Sequence, residues 1–253
     1  MNHLTVVSAS KHTLVFDAGN TSIKLGIYKD AKIYSNSQFG WNELDEMNSY
    51  LQEQQQLHSI DSFIGICSGD ISALPTIMQE ACMNWNQFEL PITTSYSSPH
   101  TLGQDRLAMS AGAYLEHSED LLVVTMGTCI TYNIVKNASF LGGAISPGWQ
   151  MRYLALHEFT AGLPLTEYSP QTKLLGDSTD ASLRAGVDIA IEAEVSGMIE
   201  RYCHQYDIKC VVLCGGDANR LSKPLKKYIF APANYELHAL KRIHEYFEKT
   251  GQL

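Results

Sequence analysis

Two short glycine-containing segments have the composition of phosphate-binding turns. In the first, LVFDAGNTSIKLGIY, Asp17 ends an apolar run, Gly19 permits a tight turn, and Asn20 and Thr21 place small polar groups at its tip. Backbone N–H groups of such a turn form a concavity that binds anions, and a carboxylate at its edge can hold Mg²⁺. Lys24 adds a cation. The alternative is an ordinary hairpin, since Asn and Gly are the commonest turn residues.

The second segment, VVTMGTCITYNI, places Gly127 and Thr128 between two apolar runs in the same way. A second turn of this kind weakens the interpretation of the first as an ordinary hairpin. The chain contains no G-x-x-x-x-G-K-[ST] motif, and no G-x-G-x-x-G follows a predicted strand. A P-loop kinase is therefore excluded by motif, and a nucleotide site would have to be of another kind.

A charged pair lies between the two turns, in the segment SYSSPHTLGQDRLAMSAGAY, where Gly103, Asp105 and Arg106 open a predicted helix. A carboxylate in a first helical turn can simply stabilise the helix dipole. Its position after a loop favours a second role, in which Asp105 accepts the proton of an attacking hydroxyl and Arg106 steadies an anionic substrate.

The elements that must position these residues predict an α/β fold. Strand, tight turn, strand, turn and strand follow one another at the start of the chain and again from residue 121, which indicates two duplicated domains, 1–118 and 119–253. The predicted strands are 13–16, 23–28, 31–35, 62–67, 121–125, 130–135, 139–145, 209–214 and 228–230. The predicted helices are 42–57, 72–85, 103–117, 149–159, 181–205 and 234–249, with a short one after Gly216.

Composition limits the partners. Eighteen basic against twenty-seven acidic residues give a net charge of −9, without a basic cluster, which disfavours nucleic acid. No apolar run approaches the roughly 20 residues that cross a bilayer, and the first residues do not resemble a signal peptide, so we expect a cytoplasmic protein. The six cysteines contain no C-x-x-C pair, and we expect buried, reduced thiols.

Together these segments resemble the type III pantothenate kinases, a family of the acetate-kinase, sugar-kinase and actin superfamily. DAGNTSIK is similar to the family's D-x-G-N-T-x-x-K signature, TLGQDRLA to its G-x-D-R segment, and MGTCIT to its second phosphate hairpin. FLGGAISPGWQMRYLALHEFTAGLP, GDSTDASLRAG and VVLCGGDA follow in the family's order. The resemblance implies two ribonuclease-H-like (actin-like ATPase) domains, each with a mixed central sheet flanked by helices, and an active site in the interdomain cleft.

The resemblance also implies roles for particular residues. The residues that would bind ATP and Mg²⁺ in the first hairpin are Asp17, Ala18, Gly19, Asn20, Thr21, Ser22, Ile23 and Lys24, and Thr128 would contact ATP from the second. The residues that would bind pantothenate are Tyr96, Gly103, Gln104, Asp105, Arg106 and Thr179. Asp105 would be the general base and would itself touch the substrate. Thr179 would act across the interface of a homodimer; as a residue before a long helix, it would also suit an N-cap.

Two positions depart from the family pattern. Thr125 stands where the family has an Asp that binds a monovalent cation, K⁺ or NH₄⁺, and Asn133 stands where a second acidic residue is often found. A hydroxyl offers a neutral oxygen in place of a negative charge, so cation binding there should be weaker.

Two other functions are compatible with the sequence. Members of this family are also described as accessory regulators of transcription, and the superfamily contains kinases with other small hydroxyl acceptors. The retained Asp105 and the acidic composition disfavour a regulator that contacts DNA. Tyr96 and Thr179 favour pantothenate as the acceptor, by resemblance alone.

Overall fold

The computed structural model describes residues 11–82, 87–221 and 228–253. The chain forms two compact units, residues 1–89 with 240–253 and residues 90–239. Each unit contains one sheet of mixed strand direction with helices. The domain limits expected from the sequence, 1–118 and 119–253, stay a prediction.

The first unit is built on a four-stranded sheet of order β3-β2-β1-β4. Its strands are β1 (His12–Ala18), β2 (Ser22–Lys29), β3 (Lys32–Gly40) and β4 (Ile60–Cys67). The first three form the predicted antiparallel meander, and β4 returns parallel to β1. Leu14, Phe16 and Leu25 are fully buried in its core. Burial of each such side chain stabilises the fold by about 1.5–3 kcal/mol, which holds β1 and the turn after it in place.

The helices of the first unit differ from the prediction at one place. Helix α1 (Leu44–Leu57) is confirmed, but the helix predicted over 72–85 is wrong. A 3₁₀ turn (Ile71–Ala73) is followed by extended Leu74 and then by the short α2 (Thr76–Ala81). Pro75 explains the break, because its ring disfavours helical backbone at the preceding residue. Residues 83–86 of the predicted helix lie outside the described residues.

The second unit contains a six-stranded sheet of order β10-β9-β6-β7-β8-β5. Its strands are β5 (Thr93–Thr94), β6 (Leu121–Met126), β7 (Cys129–Lys136), β8 (Ser139–Pro147), β9 (Cys210–Cys214) and β10 (Ile229–Phe230). β6, β7 and β8 form the second predicted meander, and β9 lies parallel to β6. The two-residue β5 was missed, because two exposed threonines carry no apolar pattern.

The helices of this unit are α3 (Gln104–His117), α4 (Trp149–Glu158), α5 (Thr179–Arg184) and α6 (Ala190–Tyr206). A π-helical turn (Ala185–Ile189) joins α5 to α6, so the helix predicted over 181–205 contains one widened turn. The last helix, α7 (Tyr235–Thr250), contributes residues to both units. In the described part of the chain, no helix is long and apolar enough to span a membrane.

The cysteines agree with the expectation in part. All six are free thiols. Only Cys210 and Cys214 are fully buried, and the other four are half-buried. Burial is the main cause that raises the pKa of the Cys67, Cys82 and Cys210 thiols, to about 12 for Cys82 and about 11 for Cys210.

Candidate active site

The first hairpin joins β1 to β2 through Gly19, Asn20 and Thr21. Gly19 N donates to Ser22 O at 3.0 Å and closes the turn, and Asp17 pairs in register with Lys24 on β2. Asn20 and Thr21 are exposed at the tip, whereas Asp17 and Lys24 are half-buried beside it. The turn therefore presents a carboxylate, a cation and small polar groups from one short segment.

Neighbouring segments of the first unit stabilise this hairpin through hydrogen bonds to its backbone carbonyl groups. The Trp41 indole donates from Nε1 to Gly19 O at 2.9 Å. The amides of Ser68 and Gly69, just after β4, both donate to Ala18 O, at 2.8 and 3.2 Å. The carbonyl groups of Ala18 and Gly19, at the base of the turn, are thus both satisfied by the protein. Sequence reasoning missed Trp41, since a tryptophan after an edge strand gives no local signal of this contact.

These groups fit the phosphates of a nucleotide with a divalent metal. Mg²⁺ is usually bound in such sites by one or two carboxylates, with phosphate oxygens and water completing the shell. Asp17 offers one carboxylate beside a donor-rich turn. Among the described residues, no group of three or more His, Cys, Asp or Glu side chains could hold a metal ion by itself.

The second hairpin joins β6 to β7 through Gly127 and Thr128, and it is fixed by two backbone contacts. Gly127 N donates to Cys129 O at 3.1 Å, and Gly148 N donates to Thr128 O at 3.0 Å. Thr128 is exposed, and a Cβ on Gly127 would meet no atom within 4 Å. The space beside Gly127 is therefore open to a ligand.

Two glycines outside this hairpin are required by close approach. A Cβ on Gly148 would lie 2.1 Å from Gly127 O. Gly215 has φ +92°, and a Cβ there would lie 2.2 Å from Met126 O. The start of α4 and the turn after β9 therefore both pack directly on the backbone of the second hairpin.

Asp105 and Arg106 open α3 as predicted. Gly103 is the N-cap and makes no side-chain cap bond, and Asp105 lies half-buried in the first turn. A Cβ on Gly103 would lie 2.5 Å from Asp105 Oδ1, so the glycine gives the carboxylate its room. Gln104, the residue between Gly103 and Asp105 in sequence, is also half-buried.

Arg106 is buried against the sheet, with 6% of its surface exposed. Its Nε donates to Asn133 Oδ1 at 2.8 Å. Its guanidinium carbon lies 5.9 Å from the ring centre of Tyr96 and 5.7 Å from that of Phe140. Nη2 is buried and makes no hydrogen bond within the described residues. The structure thus brings together Tyr96 and Arg106 of the predicted pantothenate set, and adds Asn133 as the residue that holds the guanidinium.

Thr125 lies at the end of β6, opposite Thr131 on β7 and beside Cys214 on β9. Its Oγ1 lies 3.4 Å from Cys214 Sγ, within the range of a weak hydrogen bond. The position therefore offers a neutral hydroxyl oxygen.

Thr179 is the first residue of α5 and is exposed. Its predicted role as an N-cap is wrong by one position: the cap is Ser178, whose Oγ accepts from Ala181 N at 3.2 Å. Thr179 lines an open cavity of about 620 Å³ together with Leu156, Leu163 and Leu183. This cavity does not include Tyr96, Asp105 or Arg106.

Another cleft of this unit has a volume of about 490 Å³. Trp149, which directly follows Gly148 in sequence, lines this cleft together with Tyr168 and Arg220. The guanidinium carbon of Arg220 lies 4.8 Å from the Tyr168 ring centre and 5.6 Å from the Trp149 ring. Sequence reasoning missed these residues, because they come from three separate segments.

Each of the two sheets contains a strand–turn–strand hairpin that begins its antiparallel meander. This arrangement defines a protein of the two-domain ribonuclease-H-like class. A solved structure of the activator of the 2-hydroxyisocaproyl-CoA dehydratase from Clostridium difficile with bound ADPNP shares the fold, at a TM-score of 0.52 and 12% identity, over 96% of this chain and 98% of that one. A Campylobacter jejuni protein described as a Baf family transcriptional activator shares it at a TM-score of 0.60 and 19% identity, over 95% and 100% of the two chains.

Sequence comparison gives the family. The model of the type III pantothenate kinase family matches residues 13–201. A type III pantothenate kinase from Christiangramia forsetii is 36% identical over 241 residues, which cover 94% of this chain and 99% of that protein. The chain therefore belongs to the type III pantothenate kinase family.

Proposed function

We propose that this chain transfers the γ-phosphoryl group of ATP to the primary hydroxyl of pantothenate, giving 4′-phosphopantothenate, the first step of coenzyme A biosynthesis. Membership of the family supports the acceptor. The observation that carries the chemistry is the pairing of a half-buried carboxylate, Asp105, with a buried and incompletely bonded cation, Arg106, at the start of one helix.

Asp105 is the general base of this proposal. Its carboxylate takes the proton from the pantothenate hydroxyl as that oxygen attacks the γ-phosphorus, and the bond from phosphorus to the ADP oxygen breaks. Phosphoryl transfer needs mainly in-line placement and neutralisation of charge, so one correctly placed acceptor for the proton is sufficient. The free space at Gly103 lets the carboxylate lie beside the helix start, where a substrate hydroxyl can reach it.

Arg106 binds the carboxylate of pantothenate through the N–H groups of Nη2. An unpaired, buried guanidinium donor favours an anionic partner, since a charge-assisted hydrogen bond is roughly twice as strong as a neutral one. Tyr96, whose ring centre lies 5.9 Å from the guanidinium carbon, contacts the same substrate in this proposal. Gly103 and Gln104 supply backbone and amide contacts, and Thr179 is contributed by a partner subunit.

ATP is bound through the two hairpins. The tip of the first hairpin binds phosphate oxygens, with Lys24 as a cation and Asp17 as the carboxylate for Mg²⁺. When bound, Mg²⁺ would neutralise part of the negative charge of the phosphates. Thr128 contacts the phosphates from the second hairpin. The cleft lined by Trp149, Tyr168 and Arg220 accepts the nucleoside, because Trp149 directly follows Gly148, whose N–H donates to Thr128 O.

Monovalent cations are not required in this proposal. Thr125 supplies a neutral oxygen where the family uses a carboxylate, and its hydroxyl is engaged with Cys214. K⁺ or NH₄⁺ would therefore find a weaker site than in relatives that carry the Asp.

We further propose a cytoplasmic homodimer. Leu174 and Leu175, shortly before Thr179 in sequence, are 81% and 83% exposed, and Phe159 is 88% exposed, which is more than large apolar side chains usually are. Sedimentation equilibrium would show twice the mass of one chain, and the mass of a single chain at micromolar concentration would refute the dimer.

A regulator without catalysis is the second candidate function, favoured by the fold shared with the Campylobacter jejuni protein. At 19% identity that likeness shows the fold alone. A regulator has no need for a carboxylate beside an incompletely bonded arginine, so the retained pair favours the kinase.

An acceptor panel tests the proposal. Purified protein with ATP and Mg²⁺ is given pantothenate, glucose, N-acetylmannosamine or acetate, and ADP release is followed with each. We expect turnover with pantothenate alone. Turnover with another acceptor would move the assignment to a different kinase of this fold, and no turnover with any acceptor would favour the regulator.

A further inference from the structure

Arg152, the fourth residue of α4, is bound both to the end of β8 and to α6. Its Nε donates to Pro147 O at 2.9 Å, and its Nη2 donates to Ser146 Oγ at 3.0 Å. Nη2 also forms an ion pair with Glu194 on α6. Because the guanidinium is a planar fork of N–H groups, these bonds fix its orientation as well as its position.

The acidic partner of Arg152 is itself held from the core of the sheet. Glu194 Oε1 accepts from the hydroxyl of Tyr132 at 3.2 Å, and Tyr132 lies fully buried in β7. Burial is the main cause that raises the pKa of the Tyr132 phenol, and the negative charge of Glu194 raises it further, while Arg152 opposes the shift. The phenol therefore keeps its proton and stays a donor to Glu194.

The residues that Arg152 holds lie next to the second hairpin. Pro147 pairs in register with Cys129, the residue after Thr128, and Gly148 N donates to Thr128 O at 3.0 Å. The contacts thus run from β7 through α6 and α4 to the end of β8, which is paired with β7 again. They form a closed loop that begins and ends on the strand that follows the hairpin.

We propose that Arg152 is a positioning residue that fixes the second hairpin for contact with the phosphates of ATP, an inference that rests on the proposed function. The side chains of Arg152 and Glu194 are 20% and 26% exposed, so water screens part of their attraction. Phosphoryl transfer depends mainly on the placement of groups around the phosphates. A side chain that fixes the turn before α4 therefore acts on ATP binding without touching ATP.

Three variants separate the bonds of this network. R152M removes the charge and every hydrogen bond of the guanidinium but keeps an unbranched side chain. R152K keeps the charge, but a compact ammonium does not reproduce the planar fork that reaches Pro147 O and Glu194 with different N–H groups. Y132F removes only the bond from β7 to Glu194 and leaves the direct bonds of Arg152 in place.

Steady-state kinetics of these variants, with the affinity for ATP and Mg²⁺ measured by isothermal titration calorimetry, test the inference. We expect KM and Kd for ATP to rise about tenfold in R152M, the change that corresponds to one charge-assisted hydrogen bond, and to rise less in R152K and Y132F. We expect KM for pantothenate to stay within about twofold, because no residue of this network contacts the acceptor in the proposed function.

The matched control is R201M, the same change at an exposed arginine of α6, and it should keep all wild-type constants. R152K and Y132F keep the test open if R152M does not fold. A merely structural role for Arg152 predicts a lower melting temperature with the affinity for ATP unchanged in the folded protein.

Unchanged Kd for ATP in folded R152M and R152K would overturn the inference while wild-type turnover stands. An equal rise in KM for ATP and for pantothenate would also overturn it, since the effect would not be confined to the second hairpin. Absence of pantothenate turnover in the wild type would instead overturn the proposed function, and the Kd for ATP would then decide the inference by itself.

Discussion

Asp105 and Arg106 are neighbours in sequence, yet their side chains lie in different surroundings. Successive residues of a helix point about 100° apart, so one of the pair lies beside the helix start and the other against the sheet. Asp105 is half-buried, whereas Arg106 is 6% exposed. The same two residues can therefore serve as a base and as a fixed cation.

The sequence was sufficient to predict that this pair opens a helix and that the two glycine-containing segments form hairpins, because each set lies within one short segment. It was not sufficient for the contact between Arg106 and Asn133, which joins α3 to the middle of β7. Nor did it predict the bond from Trp41 to Gly19. Such contacts depend on strand register and side-chain direction, which no local pattern contains.

The hydroxyl of Thr125 leads to a prediction about cations. We expect wild-type kcat/KM in K⁺ or NH₄⁺ buffers to stay within about twofold of its value in a bulky organic cation, since a neutral oxygen adds no charge to a cation site. Thr125→Asp should introduce stimulation by K⁺. ADP release in the three buffers measures this, and a wild-type enzyme that is inactive without K⁺ would show that the hydroxyl is an adequate ligand.

At the scale of the elements, each hairpin is held by segments far away in sequence. The first is braced by Trp41 and by the amides after β4, and the second by the start of α4 and the turn after β9. The duplicated meanders were predictable, because apolar runs and turn residues alternate clearly in both. The helix over 72–85 was predicted wrongly, since Pro75 imposes extended backbone on Leu74 within an otherwise helical pattern.

The close packing at Gly148 predicts a large effect for a small change. In Gly148→Ala the new Cβ would lie 2.1 Å from Gly127 O, so the second hairpin or α4 must move. We expect a loss of about 1–3 kcal/mol in the free energy of unfolding, as for other overpacked sites, and a higher KM for ATP. Urea denaturation and kinetics measure both.

Gly162→Ala is the matched control, since a Cβ at Gly162 would meet nothing within 4 Å. It should leave stability and KM unchanged. Equal free energies of unfolding for the two variants would contradict the prediction, because they would show that the second hairpin accommodates the added Cβ at no cost in stability.

At the scale of the whole molecule, α7 carries a buried histidine, and we expect its titration to affect the stability of the fold. His244 is 3% exposed, and its Nδ1 lies 3.6 Å from Glu248 Oε2, beyond hydrogen-bond distance. Burial lowers the pKa of His244 from its ordinary 6.5, and the charge of Lys241 lowers it further, while Glu248 and Glu245 oppose the shift. The folded protein therefore resists protonation at this site.

The sign of the effect follows from linkage. Between the lowered pKa and the ordinary pKa of about 6.5, the unfolded chain binds more protons than the folded one, so stability falls as pH falls. We expect urea denaturation to show a smaller loss between pH 7.5 and pH 5.5 in His244→Gln than in the wild type. His204→Gln, at an exposed histidine of α6, should keep the wild-type loss. An equal loss in all three proteins would contradict this account.

The measurement that tests the central claim most directly is the amount of 4′-phosphopantothenate formed from ATP and pantothenate by the wild type and by Asp105→Asn, quantified by mass spectrometry. The account predicts steady formation by the wild type and a fall of about 10²–10⁴-fold in the variant, the range expected for loss of a general base. The amide keeps the shape of the side chain, so ATP binding should be unchanged. No product from the wild type, or equal rates for the two proteins, would contradict the account.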